Sequence, residues 1–342
     1  MIPPDPIASY TFPCPMPDQP PWRTPMRFAL MTEPQQGLSY VEQLELALLA
    51  ERLGFEAFFR SDHYRSFPGP TDKPTTDAWA VLAGIARETT TIRLGTLVSP
   101  VTFRHPGSFA KVVTTVDEMS GGRVDVGVGA GWNDPEHSQL GLHFPEVGER
   151  ADLLEDELAI LHGLWEEPDG WSFEGRKVSI RDASFNPKPV QRPHPPIIVG
   201  GEGRPRSLRL AARYADEYNM SSSDADQCIE KFALLDAECR KIGRDPSTMR
   251  KSVMVGFLVG ANQAEFERRV HDLLVMIGEA GTDASAWLDE HRPRWIFGLP
   301  DEARAMATRF AATGVDRIML QDLLPRDHAM VELIARELIG RV

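Results

Sequence analysis

Cysteine is scarce. The 342 residues contain three, Cys14, Cys228 and Cys239. An odd count with no CxxC pair excludes a disulfide framework and a thiolate metal site, and suits a reducing compartment, so a cytoplasmic location is expected. Basic charge is also short. Thirty-seven Lys and Arg stand against 50 Asp and Glu, a net charge of −13. That balance disfavours a phosphate-backbone grip on nucleic acid or on an anionic membrane, while leaving room for one local cationic pocket. No apolar run approaches the ~20 residues that span a bilayer; the longest buried-looking stretch is Val253–Gly260. The N-terminus lacks a basic segment followed by an apolar one, so secretion is not expected. HExxH, a Gly-Lys-Ser/Thr loop and GxSxG are all missing, and the nine histidines show no metal-ligand spacing. Neither a metal nor a covalent nucleophile is therefore expected.

Proline is unevenly placed. Positions 3, 4, 6, 13, 15, 17, 20, 21 and 25 are proline, which makes residues 1–25 a separate leader unable to donate a regular backbone ladder. Residues 26–342 read as one domain in which short β-rich runs alternate with helical-period runs. The strands are expected at Arg27–Thr32, Phe55–Arg60, Ile92–Val98, Val124–Val128, Pro196–Val199, Ala215–Met220, Lys251–Val259 and Val315–Leu320. Helical spacing falls between them, as in Val41, Leu44 and Leu48 after the N-cap Ser39. Eight strands in strict alternation with helices predict an α/β fold, a single (β/α)8 TIM barrel, with an open doubly wound sheet as the alternative. Two stretches exceed ordinary connections: Glu166–Pro195 after strand four and Gly281–Pro300 after strand seven. With the loop Ser66–Thr76 they carry Phe67, Trp171, Phe173, Trp287 and Trp295, which suit either an apolar pocket or the anchoring of the loops themselves.

Barrel enzymes build their sites where strands end. After strand two come Asp62 and His63, the latter able to exchange a proton near neutrality. After strand three comes LGTLVSPVTFRHP (94–106). After strand four comes GVGAGW (127–132), where Trp132 occupies the position a dinucleotide fingerprint reserves for glycine; the glycines instead suit a flat ring laid against backbone. After strand five, GGEGRPRS (200–207) opens a helix, and an uncapped helix start beside Arg204 and Arg206 suits a phosphate.

These four motifs, in order and at strand ends, resemble the bacterial luciferase-like superfamily, and most closely its oxidoreductases that use the deazaflavin coenzyme F420. The resemblance runs from about Arg27 to the C-terminus. It implies that Asp62 and His63 lie near the reactive centre of the ring. It implies a non-prolyl cis peptide at Leu97–Val98 behind the ring, with Ala130, Gly131 and Trp132 at its border. Gly200 and Gly201 would bind the coenzyme phosphate, and Glu33 would face the pocket. His63 is the leading proton donor or acceptor, with Glu33 and Glu136 behind it. The implied activity is hydride transfer between F420 and a small organic substrate. The alternatives are an FMN-dependent monooxygenase and a non-catalytic flavin-binding protein. A homodimer is implied as well. Relatives that oxidise a sugar phosphate carry an acid where this chain has Trp132 and a tryptophan near Phe67, so that substrate class is disfavoured.

Overall fold

The computed structural model describes residues 26–342, so the proline-rich leader 1–25 and Cys14 lie outside the described residues. In chain order the strands are β1 (Arg27–Thr32), β2 (Ala57–Arg60), β3 (Arg93–Thr96), β4 (Ser99–Pro100), β5 (Val124–Gly129), β6 (Trp171–Glu174), β7 (Ser179–Ala183), β8 (Ile197–Gly201), β9 (Glu217–Ser221), β10 (Arg250–Val259), β11 (Trp295–Gly298) and β12 (Arg317–Asp322). The helices are α1 (Tyr40–Leu53), α2 (Ala78–Glu88), α3 (Pro106–Ser120), α4 (Asp134–Leu140), α5 (Val147–Glu166), α6 (Pro205–Tyr214), α7 (Ala225–Lys241), α8 (Gln263–Met276), α9 (Ala284–His291), α10 (Pro300–Ala311) and α11 (His328–Leu338). Strands β1, β2, β3, β5, β8, β9, β10 and β12 pair in parallel, and β12 returns to β1, closing an eight-stranded (β/α)8 barrel. The open sheet is thereby excluded.

Local chemistry sets the boundaries. Ser39 and Glu42 form a reciprocal capping box at the start of α1, and Gly54 ends it in the left-handed conformation. Asp77 caps α2, its side chain accepting from the Ala80 N–H at 2.9 Å.

Period-two alternation divides every barrel strand into an outward and an inward face. Leu30, Phe58, Leu94, Val126, Val199, Tyr218, Val253 and Ile318 face outward into the layer shared with the helices. Ala29, Met31, Ala57, Phe59, Leu97, Ile198 and Met319 form the smaller interior cluster. Below it, at the strand N-terminal ends, the buried Arg317 guanidinium donates to Asp125 at 3.1 Å and to Glu217 at 2.5 Å, and lies 5.1 Å from the Phe59 ring centroid.

The two excursions sit in different places, and in both the aromatics anchor their own segment. The segment after α5 forms the antiparallel hairpin β6–β7, joined to a helix-to-strand connection and therefore far in chain order from the barrel mouth. It lies on the outer flank of α5. The N–H groups of Arg176, Lys177 and Val178 donate to the Asp156 carboxylate, and the Trp171 ring covers Gly163. Trp171 and Phe173 stack 5.9 Å apart and anchor the hairpin. In the second excursion, β11 extends the sheet alongside the far end of β10. The Trp295 ring lies over Gly256, which shares a face with the interior-facing Met254, while Trp287 is buried against Trp295, His291 and Phe297.

Candidate active site at the barrel mouth

The alternation that builds the barrel also sorts the residues after β2. Ser61 and Asp62 point to opposite sides. The Ser61 hydroxyl donates to Gln35 at 2.6 Å. Asp62 is buried between strands and helices, where it accepts from Ser99 at 2.9 Å and pairs with Arg104 at 2.5 Å. Arg104 also pairs with Asp77 and donates to the Tyr64 hydroxyl at 2.9 Å. Burial works against the Arg104 charge, but Asp62 beside it outweighs that and pushes the guanidinium pKa up. With both oxygens engaged and its side chain fully buried, Asp62 is placed to hold the loop rather than to meet a ligand.

His63 stands at the mouth. Its Nδ1 lies 2.9 Å from Glu136 Oε1, and Glu136 Oε2 accepts the Tyr64 N–H at 3.0 Å. Glu136 reaches it from the first turn of α4, where Asn133 is the N-cap and Pro135 occupies the opening turn. The imidazole is 15% exposed and the carboxylate 2%. Phe67 and Trp132 stand nearly perpendicular to the His63 ring, with centroids at 4.6 and 5.9 Å. Trp132 is itself 67% exposed. Position 132 carries no acid, and the carboxylate that meets His63 is that of Glu136, four residues further on. Glu33 is buried, accepting from Gln35 and Gln321, each at 2.6 Å, so both its oxygens are occupied.

The Leu97–Val98 peptide is cis and non-prolyl, the geometry the resemblance implied. Val98 lies over the glycine-rich inner face of β5 and β8. A Cβ on Gly129 would lie 2.7 Å from Val98 Cγ2, and one on Gly127 or Gly200 would lie 3.2 or 2.9 Å from Cγ1. These glycines therefore clear space for the valine, which becomes the surface a ring would meet. Gly131 has φ +77, and a Cβ there would crowd Pro100 and Thr102. Ala130, beside it, is half-buried. Gly127→Ala would set a Cβ 1.9 Å from the Thr96 carbonyl oxygen, a backbone atom that cannot swing aside. It is expected to destabilise the protein by roughly 1–3 kcal/mol, read as a lowered urea midpoint, whereas Gly148→Ala on α5, with open space around it, should not.

Gly200 and Gly201 are the last residues of β8, in register with Asn219 and Met220. Gly201 makes room for the Tyr218 hydroxyl and Ser207, and the Gly203 N–H donates to Tyr218 Oη at 2.9 Å. The following helix α6 has no side-chain cap, with Arg204 at the N-cap and Pro205 at its first position. Arg206 faces away, paired with Asp152 at 2.5 Å and Glu155 at 3.3 Å, and Arg204 is engaged by Glu202 at 3.0 Å. The positive field here comes chiefly from the uncapped helix end.

A groove of about 660 Å³ opens elsewhere on the rim, near Leu324. Its arginines are paired, Arg268 with Asp272 at 2.7 Å and Arg326 with Glu42 at 2.7 Å, and Lys73 donates to Gln36 at 3.0 Å; it holds nothing like the His63–Glu136 pair. At the opposite end of the barrel His162, Glu166 and His194 converge, with potential ligand atoms within 4.8 Å of one another. The linear spacing of the histidines does not show this grouping. The i,i+4 spacing of His162 and Glu166 was visible in the sequence, but the approach of His194 depends on the fold. Among the described residues, no helix is long and apolar enough to cross a membrane.

The chain is 35% identical over 224 residues to an F420-dependent glucose-6-phosphate dehydrogenase of Microbacterium testaceum (strain StLB037), covering 64% of each chain. It is 34% identical over 176 residues to an FMNH2-dependent dimethylsulfone monooxygenase of Pseudomonas putida, covering 51% of this chain and 47% of that one. The chain thus spans less than two thirds of the length of both curated relatives. The solved structure of an F420-dependent secondary alcohol dehydrogenase in complex with an F420-acetone adduct superposes with a TM-score of 0.78 at 19% identity, over 92% of this chain and 99% of that one, a likeness of fold. The family described as luciferase-like monooxygenase matches residues 22–328, nearly the whole described barrel, and the chain belongs to that family of oxidoreductases and monooxygenases.

Proposed function

We propose that this protein is an F420-dependent oxidoreductase that transfers a hydride between the deazaflavin and a small organic substrate. The observation that carries the reading is the 2.9 Å contact between His63 Nδ1 and Glu136 Oε1 at the barrel mouth. A carboxylate on Nδ1 fixes the ring's orientation and favours the proton on that nitrogen, which leaves Nε2 to exchange a proton with the substrate. Phe67 and Trp132 set apolar rings beside the imidazole, which limits competing water.

The residues present fit a flat tricyclic ring with a phosphate tail. Val98, raised on the glycines of β5 and β8, offers an apolar back wall. The uncapped start of α6 offers backbone N–H groups to a phosphate. When bound, the deazaflavin supplies two-electron hydride chemistry, while the protein supplies orientation and electrostatics. His63 would hold or deliver the accompanying proton, and Glu136 would balance the imidazolium. The reading is also supported by the dehydrogenase relative, aligned over 64% of this chain against 51% for the FMNH2-dependent one.

The test is a parallel titration of the full chain with F420 and FMN, followed by hydride exchange against a panel of alcohols, enones and imines. The expected result is F420 binding at least ~10-fold tighter than FMN, a difference of about 1.4 kcal/mol, with turnover on at least one substrate. FMN binding with no F420 binding would favour the monooxygenase instead. Tight F420 binding with no exchange on any substrate would favour a carrier.

A further inference from the structure

We propose that His162, Glu166 and His194 form a binding site for one divalent transition-metal ion of the zinc or cobalt(II) class. The site lies at the end of the barrel opposite His63 and is independent of the hydride-transfer reading. The three residues come from two segments that meet only in the fold. His162 and Glu166 stand one turn apart at the end of α5. His194 arrives from the segment leading into β8, after the whole β6–β7 hairpin.

The orientation of each ring points to a metal. His162 Nε2 lies 2.9 Å from the Tyr214 carbonyl oxygen, and His194 Nδ1 lies 2.8 Å from the Pro195 carbonyl oxygen. A carbonyl only accepts, so each ring directs an N–H to it. The remaining nitrogens, His162 Nδ1 and His194 Nε2, both face Glu166 Oε1, at 2.5 and 3.7 Å. Metal-bound imidazoles are held in this way, with the far nitrogen donating to a carbonyl or carboxylate. Asp216 reinforces it, with Oδ2 3.8 Å from His194 Nδ1 while it accepts the Ile197 N–H at 2.7 Å.

Two imidazoles and a carboxylate match the donor preference of zinc and leave a fourth position for water. Bonds of about 2.0–2.2 Å would set the ligand atoms roughly 3.3–3.6 Å apart. His194 Nε2 and Glu166 Oε1, 3.7 Å apart, stand just beyond that separation, and the His162–Glu166 contact, now 2.5 Å, must open by about 1 Å. Glu166, with 19% of its side chain exposed, has room to rotate. Binding would expel the proton that His162 Nδ1 shares with Glu166 and place a dication against the Glu166 carboxylate, with Asp216 on the far, Nδ1 side of the His194 ring. The three side chains are 6–19% exposed, so an ion could enter without the fold opening.

Trp165 provides a local readout, because its ring stacks on His194 with centroids 6.1 Å apart. The chelator-stripped full chain would be titrated with cobalt(II), following visible absorption and tryptophan emission, and then with zinc by competition calorimetry. One equivalent of cobalt(II) is expected to give a saturable ligand-field band and to quench emission in step, and zinc should reverse both. His194→Ala and Glu166→Gln should each weaken binding by more than the roughly 10–100-fold lost when a hydrogen-bond partner of a ligand is removed. His143→Ala, at an exposed histidine elsewhere, should leave it unchanged. The proposal is overturned if the unmodified chain shows no saturable band, or binds cobalt(II) without quenching. It is equally overturned if a folded His194→Ala variant binds as well as the parent. Should that variant not fold, the unmodified chain's stoichiometry and quenching decide.

Discussion

His63→Ala is expected to lower turnover by roughly 10²–10⁴-fold, the usual contribution of a positioned proton-transfer group. Cofactor affinity should stay close to the parent's, because the proposed back wall and phosphate site are built from Val98, β8 and α6 rather than from the imidazole. The fall should appear in kcat, with KM little changed, since the proton moves as the hydride does. Glu136→Gln isolates the partner's part. It keeps an acceptor for the Tyr64 N–H, now held at 3.0 Å, but removes the charge that balances an imidazolium. Its loss should be smaller than that of His63→Ala and should be accompanied by a displaced pH–rate profile. Steady-state kinetics and a cofactor titration on the same preparations check both. Unchanged kcat in a folded His63→Ala variant would remove the imidazole from the mechanism.

The second large effect is on stability. Arg317→Met should cost about 3–5 kcal/mol, because removing one partner of a buried ion network leaves the others uncompensated. Asp125 and Glu217 are 1% and 2% exposed at their side chains and would keep their charges with little solvent to receive them. Arg93, which also pairs with Asp125, would compensate in part. Burial opposes ionisation of Asp125, but Arg93 and Arg317 outweigh it and hold its pKa at about 2, below the ordinary 3.8. A carboxylate depressed on folding contributes stability above its unfolded pKa and loses it as pH falls through the folded value. This contribution should therefore be intact above pH ~4 and fade toward pH ~2 in the parent, and be much smaller in Arg317→Met. Urea melts at several pH values read both. Replacing Arg317, Asp125 and Glu217 together with apolar residues should recover much of the loss.

The barrel was legible because each strand–helix unit carries its own period and its own stop signals, and eight such units leave few ways to close. Some of the site was legible for the same reason. His63 and Glu136 both follow strand ends, where a barrel places its chemistry. Their pairing was not, since 73 residues separate them and only the register of β2 beside β3 and β5 brings them together. Asp62 shows a signal that strand-end reading passes over. Counted from Phe58, which faces outward, period two sends Asp62 outward as well, toward Arg104. The β6–β7 hairpin shows another, since a segment between a helix and the next strand starts at the end of the barrel away from the mouth. Strand β11 gave little warning: Trp295–Gly298 is four residues long and follows Arg-Pro-Arg, which reads as loop. Its pairing comes from the unusual length of β10, whose last three residues extend past its pairing with β12.

The interlock of Val98 with Gly127, Gly129 and Gly200 ties together residues from three parts of the chain. None of the three glycines can acquire a side chain while the valine stays in place, and a larger residue at 98 has no glycine left to displace. Change in this part of the barrel must therefore come as coordinated sets. The Phe67 and Trp132 side chains take no part in that interlock, and Trp132 is 67% exposed, which leaves these two positions as the part of the mouth where substrate preference can drift one residue at a time.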